Sequence, residues 1–231
     1  MCGVMSMKYK ITPLCLGHIQ RPKTNMIYQC GDSAIQDFPL IAFYLENDEH
    51  KIMVDTGGTA PDGKKWMPYQ RSDNESMEAQ LAAIRVDPKE IDTVILTHLH
   101  WDHAGNNTLF PNAIFYAQRF ECENLEQPGV DVFEVSKTVY MPVDGDTILF
   151  PGIRLVLTPG HSKGSQCVIV DTIDGEVGIT GDLIPTYENW EADPKIPNGG
   201  NYDIEIITKS VEKIGHLCKK ILPGHDNKVL R

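Results

Sequence analysis

Short apolar runs that end in turn residues recur along the chain, and this pattern predicts a protein built from many β-strands and a few helices. Residues 41–45 and 51–54 predict two strands, because the Asn47-Asp48 pair between them is typical of a tight turn. Pro151-Gly152 and Asp174-Gly175 indicate two later hairpin turns. The remaining runs predict strands at 93–96, 144–150, 153–157, 166–171, 177–180 and 220–222.

Helical spacing of apolar positions is clearest late in the sequence. Apolar residues separated by three or four positions occupy one face of a helix, which predicts a helix over 204–214. The residues that show this spacing are Ile204, Ile207, Val211 and Ile214. Residues 75–84 and 119–125 have helical composition and predict two shorter helices.

Four of the apolar runs end in a small or turn residue that is followed by a potential metal ligand. The four ligands are His98, His161, Asp182 and His225. Strand ends that lead into such loops build a rigid scaffold with a site along one edge. Because no linker or change of composition interrupts the chain, we expect one domain over residues 1–231.

Composition and charge limit the classes of molecule that the protein is expected to bind. Of the 231 residues, 41% are hydrophobic and 23% are charged, as in an ordinary globular protein. The 21 Lys and Arg and the 32 Asp and Glu give a formal net charge of 21 − 32 = −11, and the basic residues form no long run. We therefore expect no nucleic-acid partner, since phosphate backbones bind basic surfaces.

Terminal and cysteine patterns point to an intracellular compartment. The first ten residues show no secretory signal, and no run approaches the roughly 20 apolar residues that cross a bilayer. None of the six cysteines forms a Cys-x-x-Cys pair, so reduced thiols are expected. The sequence thus predicts a cytoplasmic protein that does not span a membrane.

The richest chemistry lies in the segment 97–103. His98, His100, Asp102 and His103 follow a predicted strand within six positions. An extended chain directs His98 and His100 to the same side, and the following bend brings Asp102 and His103 near. Five of the eight histidines occupy strand-end motifs; His18, His50 and His216 do not and are expected to be surface or structural residues. The set predicts a metal centre rather than a histidine-rich surface loop.

These motifs resemble those of the metallo-β-lactamase superfamily. The shared pieces are His98-x-His100-x-Asp102-His103, Thr158-Pro159-Gly160-His161, Gly181-Asp182 and Pro223-Gly224-His225-Asp226. The resemblance extends from Asp55, at a predicted strand end, to His225. It implies an α/β fold of four layers, an αββα sandwich with two mixed sheets between outer helices and the metals at one sheet edge.

The resemblance also implies roles for the ligands. His98, His100 and His161 would hold one divalent metal ion, Asp102, His103 and His225 a second, and Asp182 would bridge the two. Zinc is the expected metal, and iron, manganese and cobalt stay open because imidazole and carboxylate ligands suit them too. A bridging hydroxide would attack the substrate, with Asp102 moving the proton. Asp55 would either orient ligands by hydrogen bonding or cap the turn at 57–58.

Within the superfamily, the sequence is most similar to N-acyl homoserine lactonases. The similarity rests on the segments 97–107 and 158–166, on the ending Gly224-His225-Asp226, and on 187–191 after Asp182. It implies a hydrolase that opens a lactone or a similar small-molecule carboxylic ester, with a role in quorum quenching. Two alternatives stay open: a thioester hydrolase of the glyoxalase II type and a mononuclear iron sulfur dioxygenase.

One position departs from the lactonase pattern. Those lactonases usually carry a tyrosine three residues after the bridging aspartate, where its hydroxyl helps to polarise the lactone carbonyl. This chain has Pro185 there, and Tyr187 lies two residues further on. Tyr187 is therefore predicted either to reach the site as a catalytic residue or to be an ordinary loop aromatic.

Aromatic residues near the motif predict substrate contacts. Trp101 lies inside the metal motif, and Trp66 and Tyr69 lie in the loop 64–71. They are predicted to cover an apolar part of the substrate. The alternative is that they pack the loop or form a subunit contact, which would suit a homodimer.

Overall fold

Two β-sheets form the centre of the protein, which a computed structural model describes over residues 8–58 and 68–231. Within these residues one sheet has seven strands, in the order β4-β1-β2-β3-β5-β6-β7, and the other has five, in the order β12-β11-β10-β9-β8. The strands of the first sheet are β1 (Lys10–Pro22), β2 (Ile35–Glu46), β3 (Lys51–Val54), β4 (Tyr69–Gln70), β5 (Thr93–Ile95), β6 (Ile114–Gln118) and β7 (Tyr140–Val143). Those of the second are β8 (Thr147–Phe150), β9 (Ile153–Leu157), β10 (Gln166–Thr172), β11 (Gly175–Gly181) and β12 (Lys220–Pro223).

Parallel pairing determines which strand ends meet. Strands β3, β5, β6 and β7 pair in parallel, and β11 pairs in parallel with β12. The carboxyl ends of parallel neighbours lie at the same edge of a sheet. Asp55 and His98, which follow β3 and β5, therefore share one edge, and Asp182 and His225, which follow β11 and β12, share the corresponding edge of the second sheet.

The helices of the described chain lie mainly outside the two sheets. Their bounds are α1 (Met77–Ala83), α2 (Arg119–Glu123), α3 (Val132–Val135), α4 (Tyr187–Glu191) and α5 (Ile204–Leu217). The side chain of Asp203 begins α5 by accepting hydrogen bonds from the backbone N–H groups of Glu205 and Ile206. No helix among the described residues is both long and apolar enough to cross a membrane.

Three apolar clusters separate the layers. Alternate residues of β2 enter different clusters: Phe43 packs between the sheets, and Tyr44 packs on the outer face under Met77 and Leu81 of the α1 region. The inner face of α5 packs against the outer face of the second sheet. Because both faces of these strands are covered, their sequences are almost continuously apolar. The predicted αββα sandwich is confirmed.

Sequence reasoning missed some elements and shifted others. Strand β1 was not predicted, because Pro13, Gly17 and His18 interrupt its apolar pattern, yet it pairs with β2 along most of its length. Strands β6 and β7 and the helices α3 and α4 were also missed. The predicted helix 75–84 begins at Met77 instead, after Ser76, whose hydroxyl accepts a hydrogen bond from the N–H of Ala79. The single-domain organisation stays a prediction.

Candidate metal centre

The first sheet delivers its ligands through a loop anchored by Asp55. The carboxylate of Asp55 accepts hydrogen bonds from the backbone N–H of Thr97 at 2.7 Å and from its hydroxyl at 2.8 Å. The same carboxylate lies 2.8 Å from Nδ1 of His103. Asp55 has φ of +62°, an uncommon conformation for a residue with a side chain. Asp55 therefore orients His103 by hydrogen bonding, which is one of the two roles expected from the sequence.

The second sheet delivers one ligand from each of three strand ends, and two of them depend on glycine. Gly160, before His161, has φ of +141°, and a Cβ there would lie 2.4 Å from Cβ of Ile207. Gly181, before Asp182, has φ of +48°, and a Cβ there would meet the Thr97 side chain at 2.7 Å. At both positions the backbone conformation and the close approach exclude a larger residue.

The structure brings all seven predicted ligands into one cluster, which we call the strand-end cluster: His98, His100, Asp102, His103, His161, Asp182 and His225. One group consists of His98, His100 and His161, and a second of Asp102, His103 and His225; in each, the potential ligand atoms lie within 4.8 Å of one another.

Asp182 lies between the two groups. Its Oδ1 is 3.1 Å from Nε2 of His103 and 2.8 Å from Nε2 of His225, and its Oδ2 is 3.2 Å from Nε2 of His161. One carboxylate oxygen thus faces each group, which is the geometry that a bridging ligand requires.

Burial and neighbouring charges divide the imidazoles into two kinds. Burial and the surrounding histidines lower the pKa of His98 far below its usual value and that of His100 to about 3. For His103 and His225 burial, the largest single contribution, acts in the same direction, but the neighbouring carboxylates, Asp182 foremost, together outweigh it and raise the pKa. The pKa of Asp182 is held low, since the histidines around it outweigh its burial. His98 and His100 are therefore in the neutral form that binds metals.

The donor set fits divalent metal ions. Nε2 of His98 is buried and, among the described residues, has no hydrogen-bond partner. A buried polar atom without a partner costs about 1–3 kcal/mol, and a metal ion bound by this nitrogen would remove that cost. Imidazole nitrogens and carboxylate oxygens are also the ligands that zinc and related cations prefer.

Glu121 is a buried carboxylate that sequence reasoning missed. Its Oε1 accepts hydrogen bonds from the Ser162 hydroxyl at 2.8 Å and from the N–H of Gly164 at 2.9 Å. Its Oε2 accepts one from the N–H of Leu99 at 3.2 Å. Through these hydrogen bonds Glu121 connects the loop that carries His98 to the loop that carries His161. A glutamate in a short predicted helix is typical of the protein surface, so nothing in the local sequence indicated that Glu121 is buried.

Asn198 and Gly200 support the second-sheet ligands and were also missed. The Nδ2 of Asn198 donates a hydrogen bond to the backbone carbonyl of Asp182 at 2.6 Å. The carbonyl of Gly200 accepts a hydrogen bond from Nδ1 of His161. A partner on Nδ1 leaves Nε2 as the nitrogen that faces the cluster. These contacts cross 16 to 39 positions, which local sequence patterns do not reveal.

A cavity of about 450 Å³ opens beside the cluster. His100 and His161 form part of its wall. The other lining residues combine apolar surface with a basic group, and they are Phe120, Asn124, Gln127, Pro128, Ser162, Lys163, Gly200, Asn201 and Tyr202. A small molecule in this cavity would therefore touch two of the candidate metal ligands.

The structure does not bring Tyr187 to the cluster. Helix α4 directs its hydroxyl to the carbonyl of Ile221, to which it donates a hydrogen bond of 3.1 Å. The ring lines a different cavity of about 980 Å³ with Trp190, and none of the described strand-end ligands lines that cavity. The predicted catalytic position of Tyr187 is thus corrected, because its hydroxyl is bound elsewhere. The carbonyl of Pro185 accepts a hydrogen bond from the N–H of His225.

Trp101 and Tyr69 do not line the cavity either. Trp101 is 5% and Tyr69 7% exposed, and both belong to the core outside the first sheet. Their rings pack edge to face with centroids 5.4 Å apart, and the Tyr69 hydroxyl donates to the carbonyl of Leu16 at 2.7 Å. The structure thus gives both rings a packing role, and substrate contact by them stays a prediction. Trp66 lies outside the described residues.

Comparisons with known proteins agree with this geometry. Residues 41–225 match the family model of the metallo-beta-lactamase superfamily. An N-acyl homoserine lactonase from Bacillus thuringiensis is 30% identical over 214 residues, which cover 82% of each chain. A B. thuringiensis structure with N-decanoyl-L-homoserine bound at the active site superposes with a TM-score of 0.85 at 26% identity, covering 97% of this chain and 95% of that one. An N-acyl homoserine lactone hydrolase structure, with the product N-hexanoyl-L-homoserine bound at its catalytic metal centre, gives 0.85 at 25% identity, covering 97% and 95%.

Proposed function

The chain belongs to the metallo-beta-lactamase superfamily and is a metal-dependent hydrolase related to N-acyl homoserine lactonases, and on that premise we propose that it opens lactone rings with two zinc ions. The observation that carries the proposal is the position of Asp182, with one carboxylate oxygen toward each group of histidines. His98, His100 and His161 would hold one ion. Asp102, His103 and His225 would hold the other.

The two ions, when bound, would acidify water and polarise the ester carbonyl. The protein's own residues would position the reactants and move the proton. Asp102 is partly buried beside His103 and His225, so its carboxylate would accept the proton of the attacking water and pass it to the leaving alkoxide. Asp55 would keep His103 in place through its contact with Nδ1.

The cavity beside His100 and His161 supports a small ester with an apolar acyl part. Phe120, Pro128 and Tyr202 offer apolar surface, while Asn124 and Asn201 offer hydrogen bonds to a polar head group. Tyr187 contributes nothing to the carbonyl in this proposal, because its hydroxyl is bound to a backbone carbonyl.

The test combines metal analysis with a substrate panel. Purified protein is expected to contain at least two zinc ions per chain and to hydrolyse N-acyl homoserine lactones faster than thioesters or phosphodiesters. Asp102→Asn and His103→Ala are expected to abolish ring opening, and Asp174→Asn, in an exposed turn, is the matched control.

Unchanged lactone turnover in the Asp102 and His103 variants would refute the proposal. Faster thioester hydrolysis, or one iron ion per chain with persulfide-dependent oxygen uptake, would replace it with one of the two alternatives. The zinc identity, a homodimer and a cytoplasmic location stay predictions.

A further inference from the structure

A second group of potential ligands lies outside the strand-end cluster. We propose that Cys15, His18 and Glu75, here called the bulge cluster, bind a single zinc ion. The site is independent of the proposed lactonase chemistry, because it shares no residue with the strand-end cluster.

An irregularity in strand β1 brings two of these residues together. The pairing of β1 with β2 shifts register between Cys15 and His18, as in a β-bulge. Gly17 within it has φ of +105°, and a Cβ there would lie 2.6 Å from the carbonyl oxygen of Gln70. The bulge turns the side chains of Cys15 and His18 toward each other, which a regular strand would not do for residues three positions apart.

The third ligand comes from the 3-10 helix Asp73–Glu75. The Oε2 atom of Glu75 is held at the start of this helix, where it accepts a hydrogen bond of 2.8 Å from the N–H of Ser72. The other oxygen, Oε1, faces Cys15 and His18. The capping interaction thus holds the carboxylate in place and leaves Oε1 directed toward the other two potential ligands.

The distances within the bulge cluster match those of a tetrahedral zinc site. The Sγ of Cys15 lies 3.7 Å from Nε2 of His18 and 3.8 Å from Oε1 of Glu75, and the last two atoms are 3.3 Å apart. Tetrahedral zinc with ordinary bond lengths separates sulfur from nitrogen or oxygen by about 3.6 Å, and nitrogen from oxygen by about 3.4 Å. All three separations therefore allow one ion to reach the three atoms with only small adjustments.

The surroundings supply two more features of a zinc site. Oδ2 of Asp37 lies 2.7 Å from Nδ1 of His18, so a negative charge stands beside the ring while Nε2 faces the other ligands. A cavity of about 470 Å³ adjoins His18 and Glu75, so water would occupy the fourth position. A thiolate, an imidazole and a carboxylate favour zinc or cobalt over the hard cations magnesium and calcium.

The test uses Co²⁺ as a probe in the full-length protein after chelator treatment. Co²⁺ bound to a thiolate gives an intense near-ultraviolet charge-transfer band, and the strand-end cluster contains no cysteine. We expect wild-type protein to bind one more Co²⁺ per chain than Cys15→Ser and to show the band, which Cys15→Ser should lose. Cys30→Ser is the matched control, since Cys30 is also half-buried and its thiol donates a hydrogen bond to the backbone carbonyl of Asp32.

Glu75→Gln provides a second variant, because glutamine preserves the capping interaction and weakens the ligand. It should weaken the Co²⁺ titration of the band without changing the fold measured by circular dichroism. Zn²⁺ should also protect Cys15, and not Cys30, from alkylation mapped by mass spectrometry. Lactone hydrolysis should persist in all three variants.

A wild-type titration without a thiolate band would overturn the proposal, and so would a band that survives Cys15→Ser. Failure of the lactonase proposal gives a different result: lactone turnover would be absent, or unchanged in the Asp102 and His103 variants, while the thiolate band would still appear and would still be lost in Cys15→Ser.

Discussion

The strand-end cluster and the bulge cluster place similar ligand atoms in different surroundings. The side chains of His103 and Asp182 are 2% and 9% exposed, whereas those of His18 and Glu75 are 27% and 20% exposed. The strand-end ligands come from the ends of strands in both sheets, and the bulge ligands come from one strand and one short helix. Burial between two sheets thus makes the strand-end cluster depend on the whole fold, whereas the bulge cluster depends on one strand and one short helix.

The largest effect is expected from Asp182→Asn. Loss of the carboxylate between the two histidine groups removes charge stabilisation of about 4 kcal/mol, which corresponds to a roughly thousandfold lower kcat/KM for lactone opening. Steady-state kinetics at saturating zinc measures it. The bulge cluster should keep its cobalt band in this variant, and loss of both would show that the two clusters are not independent.

The next effect concerns the buried support of the strand-end cluster. Glu121→Gln replaces an acceptor of four hydrogen bonds by a group that must turn an N–H₂ toward donors such as Gly164. We expect about 1–3 kcal/mol lower stability to urea and metal affinity lower by roughly 10- to 100-fold. Glu123→Gln, exposed on the same helix, is the control. Equal effects of the two substitutions would contradict the inference that Glu121 connects the loops that carry His98 and His161.

The corresponding support in the bulge cluster should matter less. Asp37→Asn removes the negative charge 2.7 Å from His18, and because Asp37 is half exposed we expect only about tenfold weaker Co²⁺ binding at the bulge cluster. The titration of the thiolate band measures the change, with Asp48→Asn in an exposed turn as the control. A hundredfold loss would mean that the bulge cluster is as tightly determined as the buried one.

The smallest effect is expected from Tyr187→Phe. It removes the hydrogen bond to Ile221, which costs about 1 kcal/mol of stability, and leaves kcat/KM within about twofold, since the hydroxyl does not face the strand-end cluster. Thermal unfolding and lactone kinetics measure the two quantities. A tenfold loss of kcat at unchanged stability would restore a catalytic role for Tyr187.

Much of the fold followed from local sequence. Alternating and continuous apolar runs predicted most strands of the second sheet, and the helical spacing of Ile204, Ile207 and Val211 predicted α5. Strand β1 was missed because a bulge and a proline break its pattern, and β7 because Pro142 interrupts its short run. Strand β6 was missed although Ile114, Phe115 and Tyr116 are residues typical of strands. Pairing with long-range neighbours stabilises such strands, and that information is not local.

The candidate site divides in the same way. Local sequence was enough to predict that the residues of the strand-end cluster would meet, because short apolar strands end just before His98, His161, Asp182 and His225 and carry them to one edge. The hydrogen bonds of Glu121 and of the Tyr187 hydroxyl depend on how distant segments pack. Only the tertiary structure formed the bulge cluster, whose ligands lie up to 60 positions apart. The physical reason is that covalent proximity defines a strand end, whereas a buried contact depends on which distant segments pack together.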